Sequence, residues 1–251
     1  MTIFTTIYNH WRSFFTFMIL IVLWVLVAKQ YPAVVIPGPY ETVQALEKLI
    51  KTGVLWDSLS ITLLRFGVGF SIALFLGCGL GVLSGLNTNA CAFIRPAVLL
   101  LQAIPPISWI LLAIIWLGVD GGSQALVVTI ALFPVFFFNS VEGIRQVSKP
   151  LLEMAYVFRV SRLKQIRDIY LPALLPFWLS ALTINIGVGW KTVVMAELIS
   201  GYTGIGASMN SARIYLETAE VMAWTFVVVL LGMGIEATVR ACISRRKRNG
   251  I

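Results

Sequence analysis

Lys191 and Glu197 are the first residues to weigh, because they sit in the last part of a long apolar stretch of this 251-residue chain. A charge held at membrane depth is costly and marks a functional site by default. At about 100° per residue, a six-residue separation puts the two about 120° apart around a helix, so they do not pair with each other. Facing a polar path, Lys191 would attract an anion. Glu197, nearer the outer end, would gate or brace that side; the other open reading pairs both with neighbouring helices or a second copy. Arg65, Asn185 and Trp190 are further polar candidates. Pro105 and Pro106 fall inside a charge-free run, where two consecutive prolines remove helical donors and force a kink or break. Broken backbone at that depth is tolerated only against protein or a wet cavity, an arrangement that transport pathways use.

Other chemistries lack their residues. His10 is the only histidine, and there is no H-E-x-x-H motif or acidic pair at membrane depth, so an intramembrane enzyme has no constellation to work with. Cys78, Cys91 and Cys242 form no C-x-x-C or metal spacing and read as structural. No G-x-x-x-x-G-K-[ST] phosphate loop is present, so the chain is expected to hydrolyse no ATP and to bind no cofactor itself.

The elements that must position these residues follow from composition. The chain is 59% hydrophobic and only 12% charged, against about 25% charged in soluble domains. Charge-free runs at 66–94, 96–119, 121–141 and 169–190 reach the roughly 20 residues a bilayer span needs. Shorter runs lie at 13–28, extended by snorkelling of Arg12, and at 221–235, extended to Glu236 and Arg240. Six spans are therefore expected, near 13–29, 60–86, 92–117, 123–144, 177–199 and 221–241, in one all-α domain covering residues 1–251. The first has only a weak positive flank for a signal peptide, and its best cleavage-like pattern is Leu26-x-Ala28. With the N-terminus inside, thirteen Lys and Arg lie on cytoplasmic segments, against four outside (Lys29, Lys48, Lys51, Arg213). Both termini and segment 145–176 are thus expected in the cytoplasm. The tail Arg245-Arg246-Lys247-Arg248 reads as a topology anchor, not a nucleic-acid footprint.

Between spans, Ile36-Pro37-Gly38-Pro39 stops any helix. Residues 40–52 then predict a surface helix with Val43, Leu46, Leu49 and Ile50 on its apolar side, ended by Gly53. Gly77, Gly81 and Gly85 share one face of span 2 and predict tight packing. A short helix is expected around 208–216 in the last external loop.

Segment 145–176 is polar yet patterned. Leu151, Leu152, Ala155, Tyr156 and Phe158 give a helical stripe after Pro150, and a second helix over 162–171 leads to Pro172 and Pro176. Two short amphipathic helices there would present a docking surface to a soluble partner. The residues Glu153-Met154-Ala155, then Arg159, then Ile169-Tyr170-Leu171-Pro172 resemble the E-A-A-x-x-x-G-x9-I-x-L-P signature of binding-protein-dependent ABC permeases. The spacing matches throughout; Met154 replaces an Ala and Arg159 replaces the Gly. Gly suits a turn with positive φ, so Arg159 implies either a remodelled turn or tolerated strain.

The resemblance covers about 55–241 and implies a type I ABC importer permease with a cytoplasmic coupling helix. Glu153, Ala155, Arg159, Ile169, Leu171 and Pro172 would then serve ATPase coupling. Implied partners are two ATPase subunits using ATP and Mg²⁺, a periplasmic or lipid-anchored substrate-binding protein, and a second permease copy, all at a bacterial inner membrane. Within the family, Ile104-Pro105-Pro106-Ile107-Ser108-Trp109 and Gly189-Trp190-Lys191-Thr192-Val193-Val194-Met195-Ala196-Glu197 resemble the nitrate/sulfonate/taurine branch, as does Ile36-Pro37-Gly38-Pro39. That implies a small anion; a vitamin precursor such as a thiamine pyrimidine is the alternative. A stand-alone channel is a remote alternative, since it has no use for a docking segment.

Overall fold

The computed structural model describes the backbone of residues 2–119 and 122–248, with side chains described for residue 11 and for 15–241 apart from 120 and 121. The side chains of His10, Arg12, Cys242 and the basic tail lie outside the described residues. Among those described, eleven α-helices and one π-helical turn form the molecule, with no strand. In chain order the helices are α1 (Thr2–Ala28), α2 (Pro39–Lys51), α3 (Val54–Leu86), α4 (Thr88–Ala103), α5 (Pro106–Leu117), α6 (Gly122–Arg145), α7 (Lys149–Val157), α8 (Arg162–Gln165), α9 (Leu171–Ser200), α10 (Ile205–Ile214) and α11 (Thr218–Arg248).

Four of the expected spans are helices long and apolar enough to cross a bilayer: α3, α6, α9 with its lead-in, and α11. The stretch expected as span 3 is instead α4 and α5, bent by 97°. The bend falls at Ile104-Pro105, both extended, where proline cannot continue the ladder of α4. In α1 the described apolar helix is Phe15–Ala28, short of a full crossing by length. Its Trp24 stacks on Phe226 of α11 at 5.6 Å and donates to the Pro37 carbonyl at 3.0 Å. The six expected spans thus appear as four long helices, a pair bent at the expected proline break, and this shorter helix.

The core forms where α3, α6 and α9 meet. Gly69, Ala73, Gly77 and Gly81 line the α3 seam, and a Cβ on Gly77 would stand 2.6 Å from the Phe136 Cβ. At Gly81 it would stand 2.6 Å from the Phe137 carbonyl oxygen. The glycine face is therefore a packing face, as the spacing predicts. Gly77→Ala is expected to destabilise by about 1–3 kcal/mol through overpacking. Gly79→Ala, with nothing within 4 Å of its Cβ, is expected to be neutral or slightly stabilising. Thermal melting of the detergent-purified variants checks the pair. Trp190 and Trp224 fill the centre; Trp190 meets Phe66 edge-on at 6.3 Å and donates to the Val228 carbonyl at 2.9 Å.

The surface helix appears as α2, with Pro39 in its first turn and Gly53 at φ +81° turning the chain into α3. Its buried side is Thr42, Ala45 and Leu49, however, while Val43 and Ile50 are exposed. Lys48 reaches Glu220 at the start of α11 at 2.8 Å, and this hydrogen bond, then the Glu220 charge, raises its ammonium pKa. The external-loop helix begins at Ile205, three residues earlier than expected, because Gly204 at φ +103° makes the turn.

Candidate functional site

The cytoplasmic segment folds as two short helices joined by a tight turn. Pro150 occupies the first turn of α7, where its missing N–H costs nothing. The helix ends in a Schellman motif: Val160 N–H donates to the Ala155 carbonyl at 2.8 Å, and Arg159 N–H to that of Tyr156 at 3.0 Å. Arg159 takes φ +49°, so the left-handed turn is retained with an arginine in it and the strain is tolerated. Ala155 is buried at the elbow, and Glu153 points outward. The helix expected over 162–171 is not separate: α8 runs through a π-helical turn, Ile166–Tyr170, into α9. There Leu171 N–H donates to Ile166, five residues back, immediately before Pro172, which has no N–H to give. Ile169 is half-buried, and Leu171 and Pro172 are exposed. Leu171 borders a cavity of about 490 Å³ closed by Leu86 of α3, Ile144 of α6 and Trp178 of α9. At the end of α7 and just past it, Tyr156 (84% exposed), Val157, Phe158 (75%) and Leu163 form an exposed apolar knob.

The candidates in span 5 separate by burial. Glu197 is fully enclosed and pairs with Arg65 of α3, Nη1 to Oε1 at 2.9 Å. Thr62 Oγ1 and Gly206 N–H donate to its other oxygen at 2.8 and 3.1 Å. Arg65 also donates to the Thr203 carbonyl at 2.6 Å and hydroxyl at 2.9 Å. This buried clasp ties α3, α9 and the turn into α10 together. A Cβ on Gly204 would stand 2.3 Å from Glu197 Oε1, so the turn closes over the carboxylate only as glycine. Asn185 is buried and donates to the Leu132 carbonyl at 3.2 Å, and Trp190 is buried in the core. Asn185, Trp190 and Glu197 are thus enclosed by the chain itself, and for Glu197 this is the bracing arrangement. Lys191 is exposed, as are Pro105 and Pro106 at the bend. Lys191 lies in a stripe with Ile184, Val188 and Met195 along the outer face of α9, and no ion pair among the described residues includes it.

Thr62 and Thr203 were not among the residues singled out by sequence, and Gly204 and Gly206 stood out only as glycines of the last external loop. The available signal was one cation in span 2 and one anion in span 5, each toward the outer end. No group of His, Cys, Asp and Glu able to hold a metal occurs among the described residues.

A bundle with a bent span, a charge-bearing span 5 and an ordered helical loop between spans defines a multi-pass membrane permease. Residues 73–242 match the family described as the binding-protein-dependent transport system inner membrane component, and the chain belongs to it. It is therefore the membrane-spanning permease subunit of an ABC importer. It is 30% identical over 208 residues to the putative aliphatic sulfonates transport permease protein SsuC of Bacillus subtilis (strain 168), covering 83% of this chain and 75% of that one. Over 206 residues it is 30% identical to the taurine transport system permease protein TauC of Escherichia coli (strain K12), covering 79% and 75%. It is 34% identical to the bicarbonate transport system permease protein CmpB of Synechococcus elongatus over 156 residues, 61% of this chain and 55% of that one. In fold it resembles a chain of the inward-facing MetNI methionine ABC transporter, with a TM-score of 0.52, 19% identity and coverage of 75% and 95%.

Proposed function

We propose that this permease imports a small anion of the sulfonate or bicarbonate class, with Lys191 as its electrostatic attractor. The carrying observation is an exposed, unpaired lysine in the middle of an apolar stripe on a membrane-spanning helix. A cation there is stable only against a second protein surface or a water-filled path. The bend at Pro105 supplies irregular backbone beside α9, which suits a path as well. Relatives named for sulfonate, taurine and bicarbonate transport support the anion class.

In this reading two copies of the chain face each other across the path. The exposed faces of α5 and α9, including Ile107, Leu111, Val188 and Met195, make the contact. Two ATPase subunits, which use the ATP and Mg²⁺, seat on the knob at the end of α7, and a substrate-binding protein delivers the solute from outside. The chain itself binds no cofactor. The excess of Lys and Arg on segment 145–176 and the tail supports a cytoplasmic position for these and for the N-terminus.

The test is uptake by proteoliposomes holding the permease, its ATPase and its binding protein, offered taurine, ethanesulfonate and bicarbonate. Lys191→Gln is expected to lower uptake of the transported anion at least about tenfold, and Lys191→Arg to retain most of it. Equal uptake by Lys191→Gln, or import of a neutral or cationic pyrimidine instead, contradicts the proposal.

A further inference from the structure

One groove runs along α6 between α4–α5 and α9. At mid-span it is a small cavity of about 160 Å³ lined by Trp109 at the bend, Pro134 of α6, and Val188 and Thr192 of α9. Towards the cytoplasm the same faces continue one and two turns further. There a second, separate cavity of about 360 Å³ is lined by Arg95 of α4, Asn139, Glu142 and Arg145 of α6, and Phe177 of α9. The α6 residues of both cavities, Ala131, Pro134, Phe138, Glu142 and Arg145, recur every three or four positions, which places them on one face.

That face grows more polar as it descends. Neither arginine belongs to an ion pair among the described residues. Arg145 donates only to the Cys91 sulfur at 3.4 Å, a weak acceptor, and Glu142 is held by Gln146 at 3.0 Å. Most guanidinium donors of the pair therefore have no acceptor among the described residues. Asn139 donates to the Val135 carbonyl at 2.8 Å, a bond that occupies its amide and leaves its side-chain oxygen without a described donor. Arg95, Glu142 and Arg145 are exposed near the cytoplasmic ends of α4 and α6, and Asn139 is half-buried one to two turns deeper.

We propose that Arg95 and Arg145 form a second anion station, a basic vestibule at the cytoplasmic end of the groove. It receives the transported oxyanion after Lys191. The proposal rests on the anion-import reading. Guanidinium groups suit sulfonate and carboxylate oxygens through paired N–H donors, and the cavity is large enough for such a head group with its water. Glu142 beside them keeps the station from holding the anion too firmly, as a path requires a solute both to enter and to leave.

The experiment places a cysteine in the vestibule, Asn139→Cys, in full-length permease carrying Cys78→Ala, Cys91→Ala and Cys242→Ala. The protein is held in nanodiscs with its ATPase. Two thiol probes are compared: sulfonatoethyl methanethiosulfonate, an anion, and trimethylammonioethyl methanethiosulfonate, a cation. The anionic probe is expected to react faster, and Arg95→Gln with Arg145→Gln to lower the anion-to-cation rate ratio on the order of tenfold. Arg95→Lys with Arg145→Lys retains charge and is expected to retain the ratio, which separates loss of charge from loss of fold. A ratio unchanged by the Gln pair overturns the proposal. So does a cysteine that neither probe reaches, because the cavity is then filled by lipid. A complex that imports none of the offered anions but keeps the charge-dependent ratio overturns the import reading and leaves the basic vestibule standing.

Discussion

Glu197→Leu and Arg65→Met are each expected to cost about 3–5 kcal/mol, because either change strands a charge inside the bundle. Arg65 is 8% exposed and Glu197 0%, so water cannot replace the lost partner. Glu197→Leu also strips Gly206 N–H and Thr62 of their acceptor. Removing a buried acceptor adds about 1–3 kcal/mol of unmet desolvation. Glu197→Gln keeps an acceptor for both and is expected to be milder. Gly204→Ala should copy the loss, since its Cβ would collide with the carboxylate and its φ of +103° disfavours any side chain. The measurement is the thermal midpoint of detergent-purified protein, followed by the fraction that elutes as a single species. The double change Arg65→Met with Glu197→Gln is expected to recover part of the single losses, which a double-mutant cycle reads as coupling. Single variants that melt with the wild type would remove the clasp from the account.

The second large effect is at the cytoplasmic elbow. Tyr156→Ala with Phe158→Ala is expected to abolish co-purification of the ATPase subunit while leaving the melting midpoint of the permease unchanged. Both rings stand outside the chain's own packing, so folding does not use them. Exposed aromatics clustered at the end of an ordered helix mark an interface, and such anchors contribute about 2–4 kcal/mol each when truncated. Two of them correspond to at least about a 700-fold weaker association. Glu153→Arg is expected to weaken binding less, as a solvated charge at the rim changes association rate more than affinity. ATPase retained at wild-type levels by the double variant would move the docking surface away from this elbow.

Much of the membrane organisation was legible because the bilayer imposes a length and excludes charge. The charge-free runs place α3, α6, α9 and α11 directly, and the spaced glycines of α3 point to its seam. The loop was legible through Pro150, the apolar stripe and the signature residues, while at Arg159 the sequence left open a remodelled turn or tolerated strain, and its φ of +49° decides for strain. The angle at Pro105 was not legible, since two prolines dictate a break but not a direction. The surface helix shows a different limit. In water its apolar stripe would turn inward, whereas at a membrane Val43 and Ile50 can face lipid and the smaller Thr42 and Ala45 take the protein side. The Arg65–Glu197 clasp joins residues 132 positions apart, and only the packing of α3 on α9 selects that pairing. Lys191 and Glu197 look alike as charges in one span; burial alone separates the brace from the exposed cation.

The most direct measurement is accumulation of a labelled anion by proteoliposomes containing this permease, its ATPase and its binding protein, with ATP on the ATPase side. The account predicts accumulation that requires ATP and the binding protein, is competed by other sulfonates or by bicarbonate, and is lost in Tyr156→Ala with Phe158→Ala. Flux through the permease alone, without ATP or either partner, would contradict it and make the chain a channel.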